Sequence, residues 1–317
     1  MKRLRKLFGN GWVILGFGLY LVSLGWLIRQ AQFSLEDALT ELVIFGLGFS
    51  LVAWVSTIPA RPLSIAEHPR RGEMFGLLGY LLLLALYLAF GPQATDSWLP
   101  ANWVSEPRIH FAVGLIRKLI VFVLVPFVLF GTLAGYRWRD FGLQWSGLRE
   151  LAGSHLPVVL AMSGLILLFQ YFLGGGAAPL REGKFSAGQL AIGLPLCFIW
   201  LLLETGLVEE FFFRALLQSR LSAWFGSEVT GVTLMALAFG LAHAPGFIFR
   251  HAGTVEGLGA NPSAADAIAY AITTLAVSGI FLGVVWARTR NLFALIIIHA
   301  ATDLLPNFSQ FVRVWGI

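Results

Sequence analysis

The feature that most constrains this chain is its succession of long apolar runs, separated by short polar segments. About 20 apolar residues in helical form cross the hydrocarbon core of a bilayer, and runs of that order lie near 11–28, 39–60, 74–91, 111–136, 156–174, 189–219, 229–249, 265–287 and 291–308. Of 317 residues 57% are hydrophobic and 12% charged, more apolar surface than one soluble core could bury, so lipid must be the solvent for most of it. In hydrocarbon every backbone N–H and C=O needs an internal partner, and these Leu/Ile/Phe/Val/Gly runs lack the alternation of barrel strands. The expected fold class is therefore all-α, a polytopic transmembrane helical bundle of about eight to nine spans.

The formal net charge of +5 could suggest a nucleic-acid partner. The basic residues instead stand singly or in pairs at the ends of apolar runs, where they meet headgroups and orient the spans, so no nucleic acid is expected. Lys2, Arg3, Arg5 and Lys6, then Arg61, Arg70 and Arg71, then Arg137, Arg139 and Arg149, then Arg220, then Arg288 and Arg290 fall on one side if nine spans alternate. That pattern predicts a cytoplasmic N-terminus, with Arg117 and Lys118 leaving the start of the fourth span ambiguous. No small-x-small cleavage site follows the first run, so it is expected to be retained as a span. The single cysteine, Cys197, lies in an apolar run and reads as a small packing residue.

Residues 137–155 mix Trp138, Phe141, Trp145 and Leu148 with Arg137, Arg139, Asp140, Arg149 and Glu150, the pattern of an amphipathic helix lying in the interface. It divides the expected organisation into an N-terminal group of helices, 1–155, and a C-terminal bundle, 156–317. Ser263 and Asp266 have the spacing of a helix-capping pair. Trp12, Trp26, Trp98, Trp103 and Trp138 fall near expected span boundaries, where amphipathic rings belong.

Ionisable side chains within spans are costly, so each is a functional candidate. They concentrate in the last third: Glu204, Glu209, Glu210 and Arg214 in the sixth run, His243 in the seventh, His299 and Asp303 in the last. Glu210 and Arg214 are four apart and share a helical face, which predicts a mutual salt bridge. That spacing turns Glu209 about 100° away, off the arginine's face and able to point into a bundle interior. His299 and Asp303 share a face in the same way, so the aspartate could orient the imidazole or share a site with it. Counting about 1.5 Å per residue from Arg220, Arg290 and Glu228 puts Glu209, His299 and His243 roughly 14–22 Å deep, in one layer. Glu204 has no evident assignment from sequence. His68, His110, His155 and His251 lie near expected helix ends, where an exposed or headgroup-facing imidazole is usual.

Three segments, Glu209-Glu210-Phe211-Phe212-Phe213-Arg214, Phe239-Gly240-Leu241-Ala242-His243 and His299-Ala300-Ala301-Thr302-Asp303, resemble the ordered motifs of the CAAX protease and bacteriocin-processing family, which includes type II CAAX prenyl endopeptidases. The resemblance spans about 186–308; the first half resembles nothing identifiable. It implies an integral multi-pass enzyme of the bacterial cytoplasmic membrane that hydrolyses a peptide bond in a membrane-associated protein or peptide, lipidated or of leader or bacteriocin type. It further implies that Glu209 and His243 activate a water and that His299 and position 303 stabilise the oxyanion, with Glu210 and Arg214 in support and no cofactor. Asp303 stands where many members have asparagine, and a carboxylate donates a hydrogen bond only when protonated.

Other readings stay open at this stage. A zinc peptidase would take ligands from Glu209, His243, His299 and Asp303, although the chain lacks His-Glu-x-x-His. A rhomboid-like serine peptidase needs Gly-x-Ser-Gly, which Ala276-Val277-Ser278-Gly279 only approaches. A proton-coupled transporter also uses membrane carboxylates and histidines, but the paired halves common to transporters are not evident. A membrane scaffold or immunity protein without catalysis could retain the same fold.

Overall fold

The computed structural model describes residues 9–30, 33–65, 72–249, 258 and 261–317. The basic residues Lys2, Arg3, Arg5, Lys6, Arg70 and Arg71 lie outside them, as do His68 and His251. The architecture is all-α, with no strand among the described residues. We number the principal helices α1 (Gly11–Leu27), α2 (Leu35–Ser56), α3 (Glu73–Asp96), α4 (Pro107–Ala134), α5 (Trp145–Leu151), α6 (Leu156–Phe172), α7 (Ala187–Phe225), α8 (Glu228–Phe249), α9 (Ala264–Thr289) and α10 (Leu292–Trp315).

Seven of these, α2–α4 and α7–α10, are long and apolar enough to cross a membrane, and an eighth span results if the turns of Trp138–Leu151 count with α6. That pair is bent by 92°. A sharp bend is what a helix lying along the interface needs before the chain turns into the bilayer, and Trp138 and Trp145 there are exposed. α1, at 17 residues, is shorter than a typical span. Large apolar side chains such as Phe75, Leu82, Val22, Leu133 and Leu47 are exposed along the helices, the outward-facing surface that only lipid can solvate.

The chain forms two compact units, each drawn from three segments. Unit 1 comprises Met1–Trp54, Ala66–Ser97 and Leu216–Ala287. Polar side chains tie its helices together at specific points. Asn10 caps α1, accepting from the N–H groups of Trp12 and Val13, and its amide donates to Thr230 on α8 at 2.8 Å. Trp26 at the other end of α1 donates to Asp266 at 2.9 Å. Asp266 and Ser263 form the reciprocal cap of α9 that their spacing predicts. The Gln218 amide donates to the Gly283 carbonyl, and Trp286 to the Ser219 hydroxyl, each at 2.9 Å.

Unit 2 comprises Val55–Ile65, Trp98–Ala215 and Arg288–Ile317. Its apolar core joins the first part of α7 to α10 through Cys197, Leu201, Ala300, Phe308, Phe311 and Val312. The cysteine therefore packs as expected, fully buried.

Candidate active site

In unit 2 the chemistry-bearing side chains of α7 and α10 face one another because the two backbones approach closely. Gly206 makes that approach tolerable. A Cβ at this position would stand 2.7 Å from the carbonyl oxygen of Ile296 and 3.2 Å from its Cα, so any other residue would push the helices apart.

The register of α10 is fixed at its start. Arg290 adopts φ of 52°, a conformation rare for a residue with a side chain. Asn291 then caps the helix, its oxygen accepting from the N–H groups of Phe293 and Ala294 at 3.1 and 3.4 Å. Its amide donates to the Gly147 carbonyl at 2.9 Å and to His155 Nδ1 at 2.7 Å. His155 Nε2 in turn donates to the Arg61 carbonyl at 2.9 Å. Far from facing headgroups, His155 is fully buried: with an acceptor at one nitrogen and a donor at the other, its burial leaves no hydrogen-bonding group unmet. Two helical turns beyond this junction stands His299.

Aromatic packing sets the rotation of α7. Phe211 stacks on Phe141 with centroids 4.7 Å apart, and Phe212 meets Phe122 of α4 edge-on at 5.7 Å. Residues Glu210–Gln218 run as π-helix, the wider turn that recurs inside longer helices at functional sites. Glu210 and Arg214 are both wholly buried, and Arg214 Nη1 donates to Glu210 Oε1 at 2.8 Å, the ion pair that the four-residue spacing predicts.

Sequence spacing did not reveal a second partner for that carboxylate. His299 Nδ1 lies 2.5 Å from the same Oε1. A carboxylate in a salt bridge accepts, so Nδ1 carries the proton and the ring is held from behind by α7. Nε2 is thereby turned toward Glu209 Oε2, at 3.7 Å, and Asp303 Oδ2, at 3.6 Å. Both separations exceed hydrogen-bond length. Glu210, read from sequence as a support for the fold, thus also orients the histidine, the part foreseen for Asp303.

Glu204 and Lys118 complete the cluster. Glu204 forms an ion pair with Lys118 of α4, so the lysine that blurred the expected start of the fourth span lies well inside it. Lys118 also bears electrostatically on Glu209 and Asp303, and the Thr205 side chain hydrogen-bonds Asp303. Exposure differs across the cluster: Glu210 and Arg214 are wholly buried, His299 and Glu209 nearly so, and Glu204, Asp303 and Lys118 are partly exposed, the lysine at 39%. Partly exposed charges at mid-span belong against a water-filled recess, since acyl chains would not solvate them.

His243 belongs to unit 1, on α8. Its Nδ1 lies 2.8 Å from the carbonyl oxygen of Phe239. A carbonyl can only accept, so Nδ1 is the donor and Nε2 is left to face other partners. Among the described residues no group of three or more His, Cys, Asp or Glu side chains is gathered as ligands for a metal ion.

Residues 191–305 match the family model described as Type II CAAX prenyl endopeptidase Rce1-like. The match contains all three motifs, from Glu209 to Asp303. No curated protein and no solved structure matches the chain.

Proposed function

We propose, from a segment 191–305 that belongs to the Rce1-like family of type II CAAX prenyl endopeptidases, that this integral membrane protein cleaves a peptide bond near the end of a membrane-associated protein or peptide and does so without a metal. The family supports a CAAX-type intramembrane peptidase in general; the assignment of each residue to a step is our reading. The observation that carries it is the posture of His299, held at Nδ1 by Glu210 and presenting Nε2 toward Glu209 and Asp303.

In this reading Glu209 takes a proton from water, and the resulting hydroxide adds to the scissile carbonyl carbon. His299, charged, offers Nε2–H to the oxyanion so formed; donors aimed at such an oxyanion contribute about 10²–10³-fold in rate. Collapse of the tetrahedral intermediate breaks the C–N bond, and the proton taken up by Glu209 passes to the departing amine. The resemblance to the family's second motif assigns His243 to the activation of that water beside Glu209. Arg214 neutralises Glu210, so that the imidazolium sits beside a fixed, compensated carboxylate rather than withdrawing its proton. A zinc-dependent version would draw on Glu209, His243, His299 and Asp303, and the chelator experiment described below separates the two.

The test uses the full chain in lipid nanodiscs and a fluorogenic peptide ending in farnesyl-Cys-Val-Ile-Met. Glu209→Gln keeps the side-chain shape and removes the base, so cleavage should fall by about 10²–10⁴-fold, while the melting temperature of the purified protein stays near that of the native chain. Native-like turnover in the glutamine variant would remove the general-base assignment.

A further inference from the structure

We infer that Lys118 is the residue that selects substrates with a free C-terminal carboxylate, by binding that carboxylate beside the reacting centre. The inference deepens the peptidase reading above and rests on it.

Its basis is a problem of charge. The cluster in unit 2 holds four carboxylates: Glu210, wholly buried, and Glu204, Glu209 and Asp303, each partly exposed. A tail of the C-a-a-X form ends in a free carboxylate three residues after its cysteine. Such an anion, brought into a poorly hydrated and already acidic site, is repelled unless a cation receives it.

Arg214, His299 and Lys118 of unit 2 each bear electrostatically on Glu209. Arg214 is wholly buried behind Glu210 and offers no face to a ligand. His299 is 7% exposed and directs its remaining nitrogen at Glu209 and Asp303, where the scissile bond must sit. Lys118 is different. It lies inside a span with 39% of its side chain exposed, and Glu204 takes one of its three N–H donors. The two others suit a carboxylate.

The reach is also right. Glu204, which holds Lys118, precedes Glu209 by five residues on α7, an axial offset of roughly 6–8 Å. Three extended residues cover at most about 10 Å. A tail with its scissile carbonyl at Glu209 and His299 would therefore deliver its terminus to the ammonium. Glu204 in this arrangement is a positioning residue, keeping the flexible lysine stem turned into the recess when no substrate is bound.

The experiment compares two probes on the full chain in nanodiscs, the farnesyl-Cys-Val-Ile-Met peptide as free acid and the same peptide as C-terminal amide. The native chain should prefer the acid by about 10–100-fold in kcat/KM, the value of a hydrogen bond to a charged group. Lys118→Met should collapse the acid-to-amide ratio toward one, and Lys118→Arg should restore most of it. Because Lys118→Met strands Glu204 in a membrane setting, the double variant Lys118→Met/Glu204→Gln is measured alongside and should show the same collapsed ratio. Equal cleavage of acid and amide by the native chain overturns the inference and leaves the peptidase reading standing. So does a Lys118→Met variant that slows both peptides by the same factor, which would assign the lysine to the reacting centre or to the fold. Hydrolysis of neither peptide by the native chain takes both readings down together.

Discussion

Removing the Glu210 carboxylate should separate stability from catalysis. Glu210→Leu leaves Arg214 wholly buried without the oxygen that accepts from it at 2.8 Å, and breaking a buried pair by deleting one partner costs about 3–5 kcal/mol. The same change withdraws the acceptor at 2.5 Å from His299 Nδ1, and loss of a group that orients a functional histidine typically costs about 10–100-fold in activity. Arg214→Met added to Glu210→Leu removes the stranded charge and replaces the pair with apolar side chains of similar volume, so most of the lost stability should return. Activity should not return, because His299 still lacks its anchor. The assay is a double-mutant cycle, with thermal denaturation of the four purified proteins followed beside cleavage of the farnesylated peptide. With most of the roughly 3–5 kcal/mol recovered in the double variant, the coupling energy in stability should be about 3 kcal/mol or more, at or beyond the top of the range seen for residues in contact. Restoration of activity together with stability in the double variant would refute the reasoning, since Glu210 would then act only as Arg214's counter-ion.

Two further outcomes are expected. Asp303→Asn should keep or raise activity, and should abolish any decline at high pH that stems from ionisation of Asp303, if the residue serves as a protonated donor. A pH–rate profile with and without chelator checks this, and an inactive asparagine variant together with zinc-reversible inhibition by chelator would replace the metal-free mechanism. Gly206→Leu should reduce activity by about 10²-fold or more even where the chain still inserts, because misplacement of reacting groups by about 1 Å has that effect and its side chain has no room against Ile296; unaltered kcat/KM would show that the approach of α7 and α10 does not position the site.

The sequence reading was accurate where a pattern is local. Span-length apolar runs, the Ser263 and Asp266 cap and the Glu210–Arg214 pair depend on residues within a few positions of one another, and period and spacing report them directly. Pairings across the chain left no such trace. Glu210 meets His299 across 89 positions, and Lys118 meets Glu204 across 86, so the double duty of Glu210 and the partner of Glu204 became visible only once α4, α7 and α10 were assembled. One clue to the second pairing was present: a lysine within an apolar run requires an anion, and Glu204 was the acidic residue still without an assignment. His155 was misjudged for a related reason. A position near a helix end suggests exposure, yet this histidine closes a junction between segments that are far apart in sequence.

That junction has a bearing on how genetic variation in this chain should be interpreted. The start of α10 is seated on Gly147, His155 and Asn291, with the Arg61 backbone carbonyl behind His155, and a Cβ at Gly147 would come within 3.1 Å of both Asn291 and Phe293. Gly147, His155 and Asn291 do not lie among the charged groups of the site, but each governs where His299 comes to rest two turns later. In a saturation screen scored only by function, loss-of-function alleles should therefore cluster there as densely as at the acidic positions themselves. A ranking of positions by intolerance alone would then draw the active site too large and centre it in the wrong place, and abundance measured beside function would be needed to redraw its border.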